Sequence, residues 1–190
     1  MKVLVISDEE SKYLSEYYNE NDLESVDFVL SAGDLPYSYL EAIKVNLKKP
    51  LFYVKGNHDT YKTDLFDKTF IEWKSVEVLG VRIIGIGCQK RNRQILSEKE
   101  MTKKLKRLYQ RNKCKKGVDI IISHYPALGI GDGQDTFHRG YQAIRDFVEK
   151  MQPAYFVYGH NHLNYGRKQR TIESNKTKYV NAYEKVIIEI

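Results

Sequence analysis

Leu51-Phe52-Tyr53-Val54-Lys55-Gly56-Asn57-His58-Asp59 joins two different textures: an apolar run of aromatic and branched residues, then a glycine followed by an amide, an imidazole and a carboxylate. A short run of this kind, closed by a glycine, predicts a buried β-strand. In open α/β sheets the chemistry lies just beyond the C-terminal ends of the strands. Fold and site are therefore read from the same nine residues. Gly56 marks a place where the backbone must turn sharply or come close to an ion.

Working outward, four more runs end in the same way. Val3 to Ile6 is followed by Asp8; Phe28 to Leu30 by Ser31, Ala32, Gly33 and Asp34; Ile120 to Ile122 by Ser123 and His124; Tyr155 to Tyr158 by Gly159, His160, Asn161 and His162. Four of the five histidines stand at these strand ends, where scattered core or surface histidines would have no reason to gather. Between the runs, Pro36, Leu40, Ile43 and Leu47 mark one helix face, and Ile144, Phe147, Val148 and Met151 mark another. The alternation predicts an α/β fold with a largely buried sheet. Val76, Val78, Gly80, Val81 and Ile83 read as a hairpin, and Thr171 to Ile190 as two or three strands turning near Asn175, so a second sheet is expected. No repeat or linker divides the chain, and residues 1–190 read as one domain.

With 42% apolar and 29% charged residues, 12 Gly and 4 Pro, the composition is that of a globular protein. It excludes disorder, collagen and coiled coil as the main state. The opening apolar run is too short for a signal-peptide core, and no stretch approaches the length that spans a bilayer. Cys88 and Cys114 are too few for a disulfide framework. A cytoplasmic protein without a membrane partner is expected. The net charge of +6 belongs to one segment, Lys99 to Lys116, in which nine Lys or Arg face the single acid Glu100. Ser97 and Glu100 have capping-box spacing, and Met101, Leu105 and Leu108 follow at helical intervals. The segment reads as an amphipathic helix with a solvated basic face. Nucleic acid as a partner lacks support, because a single aromatic residue, Tyr109, stands among the lysines and makes no stacking platform.

The donors at the strand ends are carboxylate, amide and imidazole with no thiolate, a set suited to Mn, Fe or Zn. Six or more donors exceed what one tetrahedral ion takes, so two divalent metal ions are the economical reading. Asp8, Asp34 and Asn57 are also residue types that favour turns and caps. His138 and Arg139 precede the helix containing Ile144 and could meet a phosphate at its N-terminus, or belong to a loop from Gly129 to Gly140 in which Asp132 and Asp135 make turns.

In family order, Asp8 with Glu10, Gly33 with Asp34, the GNHD of Gly56 to Asp59, Ser123 with His124 and the GHNH of Gly159 to His162 resemble the calcineurin-like metallophosphoesterases. The resemblance implies a four-layer α/β/β/α architecture, a two-sheet β-sandwich flanked by helices. It implies that Asp34 bridges two metals, that Asp8 and His162 complete one ion, and that Asn57, His124 and His160 complete the other. It assigns His58 to the phosphate or leaving group. The implied activity is hydrolysis of a phosphate mono- or diester by a hydroxide bridging the two metals, with a phosphoester as the substrate.

Two positions depart from the family pattern: Glu10 stands where histidine is usual, and Tyr37 where a second aspartate commonly orients the GNH histidine. A coordinated Glu10 lowers the net charge of the site by one, predicting a harder metal preference and a higher pH optimum than in a histidine-bearing relative. Otherwise Glu10 is a solvated loop acid. Another function class is a protein- or polyanion-binding module that keeps the fold as a scaffold. A nuclease would rest on the basic helix alone.

Overall fold

The computed structural model describes residues 1–17, 23–62, 67–90, 92–112, 117–164 and 169–190. Cys114 and the last residues of the basic segment, 113–116, lie outside the described residues. Along the chain run β1 (Lys2–Ser7), α1 (Lys12–Ser15), β2 (Val26–Ser31), α2 (Tyr37–Leu47), β3 (Leu51–Tyr53), β4 (Ser75–Val78), β5 (Val81–Ile86), α3 (Glu98–Asn112), β6 (Ile120–Ser123), α4 (Gln142–Met151), β7 (Tyr155–Tyr158), β8 (Thr171–Ser174), β9 (Thr177–Asn181) and β10 (Glu184–Glu189).

These strands form two mixed sheets, one ordered β10-β1-β2-β3 and the other β4-β5-β6-β7-β9-β8. In the first, β1, β2 and β3 run parallel and β10 is antiparallel; in the second, β5, β6, β7 and β9 run parallel. The period-two alternation of strand side chains decides the layering. Val3 and Val5 of β1 share a core with Ile120 and Ile122 of β6 and Val157 of β7, between the sheets. Leu4 and Ile6 point the other way, into a core with Leu14 of α1 and Leu40 and Ile43 of α2. Ile121, Phe156 and Tyr158 likewise face Met101, Leu105, Ile144 and Phe147 of α3 and α4. Layer by layer the order is helix, sheet, sheet, helix. Strands buried on both faces are apolar throughout, which is why the sequence shows continuous runs rather than alternation.

The basic helix begins as its spacing predicts: Ser97 N–H and Oγ donate to Glu100 Oε2 at 2.9 and 2.8 Å, and Glu100 N–H reaches Ser97 Oγ at 3.4 Å. The hairpin turns through Leu79 and Gly80, at φ +51° and +84°, as a tight two-residue turn requires.

One expectation about pairing differs. The five runs that carry the site do not form one sheet with the hairpins in another. β6 and β7 pair with β5 and β9, and β10 crosses back to pair with β1. A strand buried on both faces carries no mark of which sheet it joins, because its neighbours are chosen by long-range packing.

Candidate metal centre

The parallel strands of both sheets end at one rim, and the loops after β1, β2, β3, β6 and β7 are stitched together there. The backbone N–H of Asp8 donates to Gly33 O at 3.1 Å, and that of His160 to the Asp8 carboxylate at 3.1 and 3.0 Å. Gly159 N–H donates to His124 O at 3.0 Å. Three turning residues hold strained backbone: Asp8, Asp34 and His160 lie at φ +66°, +56° and +67°. Non-glycine residues occupy that region at a cost, and such strain gathers where side chains must be aimed. Two glycines are required by close approach. A Cβ at Gly56 would stand 2.0 Å from Asp34 Oδ1, and one at Gly159 would stand 2.0 Å from Ser7 Oγ.

At the centre, Asp8, Asp34 and His124 each offer a ligand atom within 4.8 Å of the others. His124 is fully buried, with Nδ1 2.9 Å from Ala32 O. A carbonyl only accepts, so Nδ1 carries the hydrogen and Nε2 faces inward, 2.9 Å from Asn57 Oδ1 and 3.2 Å from Asp34 Oδ2. His160 is anchored in the mirror sense: Nε2 donates to Phe137 O at 2.7 Å, leaving Nδ1 with the lone pair. Its ring lies 5.1 Å from that of His124 and 4.1 Å from that of Tyr125. His162 Nε2 is 3.9 Å from Asp8 Oδ1, with its ring against Tyr183. His58 is exposed, and its backbone N–H donates to Asp34 Oδ1 at 2.8 Å.

The electrostatics describe a pocket short of positive charge. Burial pushes the Asp8 carboxyl above its ordinary value, with the charge of Asp34 adding to it against His124 and Ser7. Burial also pushes Asp34 upward, but the hydrogen bond and charge of His124, with help from His58, outweigh it and hold the carboxyl low. Burial alone would lower His124; Asp34 and Asp8 overcome it and raise the imidazole to about 9. A proton on Nε2 thus satisfies two oxygens that a cation would satisfy equally. His160 is driven down to about 4, by burial first and then by the charge of His124, so its ring is neutral. Buried carboxylates, a side-chain amide oxygen and imidazoles fixed by backbone carbonyls suit divalent cations of the Mn, Fe and Zn kind.

Other sequence candidates stand elsewhere. Glu10 is exposed and is not part of the Asp8, Asp34 and His124 group. Its neighbour Glu9 accepts instead from Tyr183 OH. Tyr37 packs edge-on against Tyr53 and beside Tyr61. The N-terminus of α4 is already served: Glu98 Oε1 accepts from Ala143 N–H at 2.6 Å. His138 Nδ1 is 2.8 Å from Asp135 Oδ2. Arg139 is exposed at a cavity of about 630 Å³ that Tyr125, Phe137 and Tyr141 also line. Asp132 and Asp135 do make turns, accepting from Gly140 N–H and from Phe137 and His138 N–H.

Two residues that sequence reasoning left without a role hold the loops. Asp59 Oδ2 accepts from both Asp34 and Gly56 N–H at 2.8 Å. Gln89, beyond β5, donates Nε2–H to the carbonyls of Gly56 and Asn57 at 2.8 and 3.0 Å. Asp59 is visible as the last residue of GNHD. Gln89 belongs to no motif.

Two packed sheets lie between helix layers, with carboxylates and imidazoles gathered at the strand ends. Residues 1–164 match the family model described as calcineurin-like phosphoesterase, and the chain belongs to that family, whose members use divalent metals. The fold is shared with the protein TT1561 of Thermus thermophilus, at 12% identity over 96% of this chain and 89% of that one, TM-score 0.66. It is shared also with GAP50, the anchor in the inner membrane complex of Plasmodium, at 14% identity over 95% and 70%, TM-score 0.60. At such identities the likeness carries the fold alone. No curated protein sequence matches the chain. Among the described residues no helix is long and apolar enough to cross a membrane.

Proposed function

We propose that the chain hydrolyses a phosphate mono- or diester at a centre of two divalent ions held by Asp8, Asp34, Asn57, His124, His160 and His162. The observation that carries this reading is the convergence of Asp8, Asp34 and His124, from three separate strand ends, to within 4.8 Å. Asp34 would hold a divalent ion through its carboxylate, whose Oδ2 lies beside His124 Nε2 while Oδ1 accepts from the His58 N–H. Divalent ions supply Lewis acidity, lowering the pKa of water and neutralising charge on the phosphoryl oxygens.

The side chains do the rest. The neutral ring of His160, and that of His124 once its proton is displaced, offer lone pairs that backbone carbonyls aim. The exposed imidazole of His58, tethered beside Asp34 by its own N–H, is free to hydrogen-bond a phosphoryl oxygen or to protonate the departing one. Arg139 lines the adjoining cavity, where the organic part of a substrate would meet the chain. Glu10 is left out of the set: His162 Nε2 approaches Asp8 Oδ1 at 3.9 Å, whereas Glu10 is exposed and outside the Asp8, Asp34 and His124 group.

The test is metal analysis of the purified protein, followed by hydrolysis of a chromogenic monoester and a matched diester with Mn, Fe, Zn or Mg. Asp34→Asn and His124→Ala are expected to abolish turnover while the circular dichroism spectrum stays that of the wild type. Wild-type rates from either variant would refute the assignment.

A further inference from the structure

Asn161 is, in sequence, the spacer between two histidines. In the fold it is fully buried, and its amide nitrogen donates to two carbonyls of one loop, Gly131 O at 2.9 Å and His138 O at 3.3 Å. Its backbone carbonyl is held by Asn181 Nδ2 at 2.7 Å, so the anchor is fixed to β9 as well as to β7. The loop it grips is closed from within. Gly133 N–H donates to His138 O at 2.8 Å, and Asp135 Oδ1 takes the N–H groups of Phe137 and His138 at 2.9 and 3.1 Å. The side chain of Phe137 is 81% exposed, and its carbonyl points to the site, accepting from His160 Nε2 at 2.7 Å.

From this geometry we infer that Asn161 is a positioning residue for His160, acting through the Gly131–His138 loop and the Phe137 carbonyl to fix which ring nitrogen keeps its lone pair. The inference rests on the metal-centre reading above and deepens it. A histidine ligand works through one nitrogen only, and the partner of the other nitrogen decides which. The Phe137 carbonyl accepts and cannot donate, so it holds the Nε2–H tautomer and leaves Nδ1 as the donor. Without Asn161 the loop loses two of its hydrogen bonds to the strand end that carries His160, and the His160–Phe137 bond alone must keep ring and carbonyl in register. Loss of the direct outer partner of a metal-binding histidine, here the Phe137 carbonyl, lowers affinity roughly 10- to 100-fold.

The experiment has two readouts. The tautomer of His160 is read from side-chain nitrogen-15 shifts in metal-free protein, and manganese affinity is read by calorimetry. Asn161→Ala is expected to turn His160 from the Nε2–H form into a mixture and to weaken manganese binding at least tenfold. Asp135→Ala, a substitution at an exposed position that does not threaten folding, is expected to move both readouts the same way by less. A wild-type chain that binds manganese, with variants that match it in either readout, overturns the role of Asn161 alone. A wild-type chain that binds no manganese overturns the metal-centre reading and this role with it.

Discussion

Asp59 Oδ2 lies 2.8 Å from the backbone nitrogen of Asp34, so the side chain of one rim loop holds the main chain of another at one of its strained residues. The same oxygen takes Gly56 N–H at 2.8 Å, and Asp59 is only 5% exposed. Hydrogen bonds from buried donors to a charged acceptor are worth about 1.5–3 kcal/mol each, and the donors are costly to leave unmet. Asp59→Ala is therefore expected to lower stability by roughly 2–4 kcal/mol in urea unfolding. Divalent-ion affinity should fall with it, because Asp34 loses its support. Stability within about 0.5 kcal/mol of wild type, a change of ordinary surface size, would show that water replaces the carboxylate at no cost.

Glycine supplies a matched pair. A methyl group at Gly56 would enter the space of the Asp34 carboxylate, whereas at Gly80 nothing lies within 4 Å but φ is +84°. Gly80→Ala should cost about 1 kcal/mol of stability from backbone strain alone and leave metal affinity as it was. Gly56→Ala should displace Asp34 and reduce metal affinity more than tenfold. Equal effects of the two substitutions on metal binding would contradict the steric argument.

Glu72 gives the chain a pH dependence away from the ligands. Its Oε1 accepts from Lys55 N–H at 3.0 Å, yet burial dominates and raises the carboxyl from 4.5 to about 7. A folded-state value above the unfolded one means stability that is complete below about 4.5 and lost as pH rises through about 7. Glu72→Gln should accordingly be more stable than wild type at pH 8, by about 2–3 kcal/mol, the gain shrinking toward zero near pH 4.5. Urea unfolding of both proteins across that window decides it. A difference that does not change with pH would remove Glu72 as the cause.

Glu10 is exposed and outside the Asp8, Asp34 and His124 group, the position expected of a solvated loop acid. Glu10→Gln is expected to change manganese affinity less than twofold, with Asp8→Asn lowering it at least tenfold. A tenfold loss in Glu10→Gln, measured by calorimetry, would return Glu10 to the coordination sphere.

The sequence by itself determined the strands and the kind of residue that closes each one. Runs such as Ile120 to Ile122 are apolar on both faces because both faces are covered, and a glycine or a short polar residue must follow where the chain turns. The capping box at Ser97 was legible for a similar reason: its partners lie within one turn of helix, where local geometry alone brings them together. Metal-type donors at strand ends could be read, since their spacing from each run is a local property.

Only the tertiary structure decided which strands share a sheet, and which side chains hold the donors in place. Asp59, Gln89 and Asn161 act on loops that are neighbours through packing of the two sheets, not through sequence. Glu10, two residues from Asp8 in the motif, is exposed, and nothing in the spacing of the motif records that. Hydrogen bonds across loops depend on ångström-scale placement fixed by the whole core, and residue spacing along one chain carries no record of that placement.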